Sequence, residues 1–477
     1  MTSLKPGLGL RLGYSLGGAM FSVKEAAYAV FVILFYTQVL GLSGTAAGVA
    51  LAVAVLVDCV SDPIIGAWSD QLESRWGRRH PFLVASTAPL GLGFIGLFWV
   101  PDLVIQEQTL LAGWLLFWSI WVRTAVSVFA IPHLALSAEM TNDYRERSSI
   151  IGARLFFVFT GSVLIPAVAL LSIFDQQGDV DGRFVENNYV IYAFASCALC
   201  LMIGGVSIWS TRSLARPSST AGHSEHPSLR QFIMDFFATL RLENFRQLIA
   251  FEGSAMVAYG VLISTHILAD IYYWELDSDD IALLLALPSL AGVSLALLSV
   301  KWLGRRLAKH DILRWSVGLL MADAVWPYLL RFAGWMPENG HPLVLWLLVL
   351  QMMIWMFLFI LRGISSQSLT VDMADENDLL QGKRQEGALF AGALFAQKLA
   401  TAVGPLYIGV ALDAIGLTRG MEPGTVPDET LNGLIIWFAI GVLIPMAIAL
   451  VYSFRVSLTE DRLHEIQKAL RERDQPA

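Results

Sequence analysis

Apolar runs of about 20 residues, long enough to cross a bilayer as helices, recur along almost all of this 477-residue chain. In hydrocarbon every backbone N–H and C=O must be satisfied within the protein, so such a run has to become an α-helix. Twelve spans are read at roughly 12–40, 44–68, 82–100, 109–137, 151–174, 188–210, 246–274, 280–302, 311–333, 342–366, 387–416 and 430–455. Many exceed the minimum crossing length, which implies tilt or extension past the headgroups. Composition agrees, at 56% hydrophobic and 15% charged, against about a quarter charged for a soluble chain. The expected fold class is an all-α integral membrane protein with about twelve transmembrane helices.

The longest polar interruption, Thr211 to Arg246, contains the Pro/Ser stretch RPSSTAGHSEHPS, of flexible composition. It divides the chain into a six-helix bundle over 1–211, a linker over 212–245, a second six-helix bundle over 246–455 and a tail over 456–477. Basic residues collect on one side: Lys5, Arg11, Arg75, Arg78, Arg79, Arg145, Arg147, Arg216, Arg230, Lys301, Arg305, Arg306, Lys309, Lys383 and Arg384 among them. The positive-inside rule makes that side cytoplasmic, with both termini and the linker. The halves also echo each other. RWGRRHPF after the second span pairs with KWLGRRLAKHDI after the eighth, and SAEMTNDYRER after the fourth with TVDMADENDLL after the tenth. Both offsets are roughly 230 residues, the mark of two halves related by an axis along the membrane normal.

Several classes are disfavoured. A net charge of -8 without a basic tail argues against a nucleic-acid partner. Cys197 and Cys200 form a lone CxxC in an apolar run, read as packing rather than a metal or redox site. The first apolar segment is too long for a cleavable signal peptide and holds Lys24 and Glu25. Neither GxxxxGK[ST] nor HExxH occurs, so neither ATP-driven transport nor zinc-dependent hydrolysis is indicated.

Within the second span, VDCVSDPIIGAWSD sets Asp58 and Asp62 four residues apart, on one helical face. Two carboxylates side by side in a low dielectric repel, and a cation, a proton or a nearby lysine relieves the repulsion. Intramembrane acids are functional by default; the alternative is a structural ion pair with Lys24 or Lys398. The run from Gly66 to Arg79, GAWSDQLESRWGRR, resembles the GxxxD…RxGRR loop signature of the major facilitator superfamily. There an acid at a helix end can pair with arginines across the loop and bias a gate. The preceding D-x-x-x-D-P, the run SRWGRRHPF, and a lysine a dozen residues after EGALF begins, Lys398, resemble the glycoside–pentoside–hexuronide:cation symporter family. The resemblance implies two pseudo-symmetric six-helix bundles. It implies a cation site at Asp58 and Asp62, assisted by Ser127 in place of the family's threonine and neighboured by Lys398. Gating falls to Asp70, Arg75, Arg78, Arg79, Glu139 and Asp372. No cofactor is expected beyond a coupling Na⁺ or H⁺.

The family's galactoside-binding aspartates are missing: their positions hold Ser22 and Ala130. Other polar residues stand near mid-span, namely Lys24, Glu25, Arg123, Glu252 and Asp323. Arg123 lies about fifteen residues from either end of its helix, roughly 20 Å, too far to snorkel, so it must face the interior. Its planar fork suits a carboxylate or phosphate, and Glu25 is the competing fixed partner. His133 is either a titrating site residue or a satisfied interior histidine. Trp355, with Trp118, Trp121, Tyr272 and Tyr273, either lines a solute site or packs. Lys24, Glu25, Arg123, His133 and Trp355 are the candidate substrate contacts. The family implies a glycoside or hexuronide-type substrate taken up with Na⁺ or H⁺ across a plasma membrane, in a bacterium the inner membrane, by a chain that functions as a monomer. The alternatives are an amphiphile such as a lysophospholipid, or a non-transporting sensor.

Overall fold

A computed structural model describes residues 7–141, 143–176, 180–215, 240–381, 386–458 and 460–474. Most of the linker, 216–239, lies outside the described residues, as do Lys5, Arg216, Arg230, Lys383, Arg384 and the Arg145 side chain. Twelve long helices follow in order. The first six are α1 (Leu8–Val39), α2 (Gly44–Gln71), α3 (His80–Phe98), α4 (Gln108–Met140), α5 (Tyr144–Ser172) and α6 (Glu186–Thr211). Next come α7 (Glu243–Tyr273), α8 (Ser278–Leu303), α9 (Lys309–Phe332), α10 (Pro342–Gln381), α11 (Glu386–Thr401, resuming as Val403–Ile415) and α12 (Asp428–Arg455). Eleven are long and apolar enough to cross a membrane. The remaining one, α9, holds Asp311, Arg314, Asp323 and Arg331 within 24 residues and is less apolar.

Local chemistry fixes the helix starts. Ser43 Oγ accepts from Ala46 N–H, Asp143 from Glu146 N–H and Asp277 from Asp280 N–H, each satisfying a donor that a helix start leaves free. The two halves share one packing plan. α1 packs on α5 and α6 as α7 does on α11 and α12; α2 packs on α4 as α8 does on α10; α3 packs on α4 and α6 as α9 does on α10 and α12. Both α1 and α7 end in a π-helical turn, Phe35–Val39 and Ala269–Tyr273. There Tyr272 O–H donates to Gln38 Oε1 across the halves at 3.1 Å. The repeat legible in the sequence is thus a structural repeat.

Two segments differ from the sequence reading. α10 runs to Gln381 rather than ending near 366, because SQSLTVDMADENDLLQ is polar but holds no helix breaker. The tail contains a further helix, α13 (Glu460–Asp474), which seats buried Ile466 and pairs Arg473 with Asp378 of α10 at 3.1 Å.

The halves meet most tightly at the end away from the termini. Asp413 of α11 accepts from Gly44 N–H at 2.7 Å and Thr45 N–H at 2.8 Å, capping α2 from the other half. A Cβ on Gly409 would lie 2.2 Å from Gly44 O, and one on Gly48 2.5 Å from Pro405 O. Only glycine allows so close an approach. Arg183 donates to Leu276 O, Ser278 to Phe174 O and Arg419 to Leu40 O at the same end. Gln38 also donates to Leu417 O there, and at mid-span Lys398 bridges the halves to Asp58 and Asp62. Among the described residues, these links between the halves thus concentrate at the end away from the termini.

Candidate functional site: a charge cluster at the centre of the bundle

Three helices of the first half each contribute two residues one turn apart: Lys24 and Tyr28 from α1, Asp58 and Asp62 from α2, Arg123 and Ser127 from α4. The i, i+4 spacing aims each pair to one side, and here the side is common. Asp58 is 2% exposed; Ser127 Oγ donates to its Oδ1 at 3.0 Å. Lys398 Nζ, from α11 of the other half, lies 2.7 Å from Asp58 Oδ2 and 2.6 Å from Asp62 Oδ2. Arg123 NH1 is 3.8 Å from Asp58 Oδ2, and the guanidinium covers the Tyr28 ring at 4.5 Å. Asp62 Oδ1 and Arg123 Nε are buried without a partner. Asp62 and Lys398 side chains keep about a third of their surface open, at 31% and 30%.

The pairing departs from expectation at one point. Arg123 engages Asp58 rather than Glu25. Glu25 pairs with its own neighbour Lys24 at 2.5 Å, and Lys24 also covers the Phe21 ring at 4.3 Å. The six charged groups balance, three acids against three bases. Balance is what allows so many charges at mid-span, since an uncompensated one costs several kcal/mol, roughly.

Two candidate substrate contacts lie elsewhere. His133 is wholly buried between Tyr14 and Phe129, ring centroids 4.4 and 5.3 Å away, and its Nδ1 accepts from Arg154 Nε at 3.4 Å. Six residues past Ser127 on α4, it faces α1 and α5 and not the charge cluster. Trp355 is 1% exposed in the packed interior of the second half. Trp118 and Trp121 meet Phe117 and each other edge-on or tilted, and Trp121 is 40% exposed on the outer face.

At the termini end, Arg79 pairs with Asp70, donates to Ser69 Oγ at 2.7 Å and approaches Glu139 at 3.8 Å; Arg78 lies 3.5 Å from Glu139. Arg75 stacks over Trp76 instead. In the second half Lys309 meets Asp372 at 2.6 Å; in the echoed runs Asp372 is the counterpart of Glu139. Sequence reasoning singled out Glu252 but missed Arg362, its partner at 2.7 Å, and missed the His266–Asp270 pair at 2.5 Å. Arg362 in FILRGISS and the i, i+4 spacing of His266 and Asp270 were the available signals.

A family of MFS/sugar transport proteins matches residues 13–460. The chain belongs to it. It is therefore a multi-pass membrane transporter and not an enzyme. The putative glycoside/cation symporter YagG of Escherichia coli K12 is 24% identical, over 96% of this chain and 94% of that one. The sodium-dependent lysophosphatidylcholine symporter 1 of Gallus gallus is 26% identical over 37% of this chain and 31% of its own. Among solved structures, a mutant of the nucleoside transporter NupG superposes with a TM-score of 0.65 over 94% of this chain and 99% of that one, at 13% identity. That likeness bears on the fold alone, the major facilitator fold.

Proposed function

We propose that this transporter is a cation-coupled symporter of an organic solute, a glycoside or hexuronide-type sugar, working by alternating access. The observation that carries the reading is the Lys398 ammonium held between Asp58 and Asp62 at 2.7 and 2.6 Å. It stands where a coupling ion would bind, so Na⁺ or H⁺ enters only by displacing it. The two carboxylates and the Ser127 hydroxyl offer hard oxygen donors of the kind Na⁺ takes. Because Lys398 belongs to the second half and the carboxylates to the first, its release also loosens the halves from each other. The relatives named as glycoside/cation symporters support the substrate class.

The basic side is cytoplasmic on this reading, which puts both termini inside and makes the structure inward-open. The bodies that rock are residues 1–211 and 246–455, joined by 212–245, within one monomer in a plasma membrane, for a bacterial chain the inner membrane. Solute and cation each strengthen the other's binding, and linkage makes the effect reciprocal. A thermal-shift screen of purified protein against sugars, glucuronides and lysolipids, with and without Na⁺ and at several pH values, tests this. Mutual enhancement of melting temperature by a sugar and one cation is expected; additive or absent shifts for every sugar would contradict it. Arg123 gives the alternative its footing. An anionic headgroup on its fork would fit a lysophospholipid, the cargo named for the avian relative.

Arg123→Gln should weaken binding of a carboxylate- or phosphate-bearing ligand by roughly 1.5–3 kcal/mol, the worth of a charge-assisted hydrogen bond. A neutral analogue should lose much less. Equal losses for both would reduce Arg123 to a partner of Asp58. Asp70, Arg78, Arg79 and Glu139, with Lys309 and Asp372, form the proposed inner gate. Asp70→Ala leaves Arg79 with Ser69 and Glu139 and should alter cysteine accessibility on the two membrane faces while leaving ligand affinity in the inward-open state unchanged. A pure affinity loss with unaltered accessibility would end the gate assignment.

A further inference from the structure

Adjacent residues of α11 face opposite halves. Lys398 reaches Asp58 and Asp62 on α2, whereas Gln397 Nε2 donates to Glu252 Oε2 on α7 at 3.1 Å. Glu252 is 2% exposed, and its other oxygen accepts from Arg362 NH1 of α10 at 2.7 Å. Arg362 is 3% exposed and covers the Phe359 ring at 5.0 Å. A charge pair buried this deeply is poor value for stability, since apolar residues of similar volume serve as well. What the pair does supply is a fixed, oriented acceptor for Gln397.

The helix that carries Gln397 depends on such an anchor. Pro405 has no N–H to give Thr401 O, the carbonyl four residues before it, and α11 is interrupted at Ala402. At the break a Cβ on Gly404 would lie 2.1 Å from Gly260 O of α7, so α7 and α11 touch backbone to backbone. The α11 hydrogen-bond ladder is thus weakened where Glu386–Thr401 meets Val403–Ile415, and the first piece is tied to α7 beside Lys398. Neighbouring residues on a helix are about 100° apart, so whatever fixes the direction of Gln397 fixes that of Lys398.

We propose that Glu252, held by Arg362, is a positioning residue for the cation site. Through Gln397 it holds the Lys398 ammonium against Asp58 and Asp62, and so sets how readily a cation displaces it. This rests on the cation-site reading above. Gln397→Met keeps the length of the side chain, removes the donor and leaves the Glu252–Arg362 pair intact. Gln397→Glu sets a second carboxylate against Glu252.

The test is the rate at which an amine-acylating reagent modifies Lys398 in the full-length, detergent-solubilised protein, read by peptide mass spectrometry, with Lys309 as the internal control. Lys398 should react about tenfold or more faster in Gln397→Met, the lower end expected for losing one hydrogen bond to a charged group. It should react at least as fast again in Gln397→Glu, with Lys309 unchanged in both. A lower melting temperature with an unchanged Lys398 rate in both variants would make Gln397 merely structural and overturn the proposal. Failure of the cation-site reading shows separately, as unaltered ion dependence of uptake in Asp58→Asn and Asp62→Asn.

Discussion

Asp58→Asn is expected to abolish concentrative uptake while leaving a folded protein in the membrane. The amide keeps the shape of the carboxylate and an oxygen for the Ser127 hydroxyl, which now lies 3.0 Å away. Lys398 keeps Asp62 at 2.6 Å, and its side chain is 30% exposed, so the loss of stability should stay below about 3 kcal/mol. What disappears is the second negative charge. With one carboxylate the lysine is already balanced, and a cation that displaces it gains one charge where the wild type offers two. Solute should then only equilibrate across the membrane, with accumulation falling to a ratio of about one whatever the ion gradient, because nothing couples the ion to the solute. The check is uptake by proteoliposomes under an imposed Na⁺ or pH gradient, beside a melting curve of the same preparation. Undiminished accumulation would remove Asp58 from the cation site.

The second large effect concerns the closed end. In Gly409→Leu the Cβ alone would sit 2.2 Å from Gly44 O, more than 1 Å inside contact distance, roughly, for carbon and oxygen. α2 and α11 cannot then close, and the population should move toward the state open at the end away from the termini. Asp413→Asn acts at the same contact without adding bulk. It keeps one of the two oxygens that cap Gly44 and Thr45 at 2.7 and 2.8 Å, and should produce a smaller shift of the same sign. A cysteine at Gln38, which is 2% exposed, reports the change. Its labelling by an impermeant thiol reagent should rise about tenfold or more in Gly409→Leu, the factor for 1.4 kcal/mol of population shift. Labelling that stays at the wild-type level would mean that closure does not depend on the α2–α11 contact.

Most of the fold was legible because a membrane leaves few choices. Apolar length gave the spans, and the echo of RWGRRHPF in KWLGRRLAKHDI gave the repeat that appears as matching helix contacts. α10 was drawn too short because hydropathy marks where lipid ends, not where hydrogen bonding along the helix ends. The charge cluster was legible in its members, since Asp58, Asp62, Arg123 and Lys398 each stand out in an apolar run. Their pairing was not. Arg123 could reach Glu25 or Asp58, and the rotation of α1 against α4 decides for Asp58. His133 shows the same limit from the other side. Being polar at mid-helix drew attention to it, but its direction around α4 turns it to Tyr14 and Arg154. Arg362 escaped because Glu252 was considered without its partner.

The central claim is that an ion gradient drives solute through the site that Lys398 now fills. Purified protein in liposomes, given a labelled glycoside or glucuronide and an inward gradient of either Na⁺ or H⁺, tests it directly. The expected result is accumulation above equilibrium with one of the two ions, collapsed by the matching ionophore and lost in Asp58→Asn and Asp62→Asn. Equilibration at one rate under every gradient, identical in wild type and both variants, would contradict it.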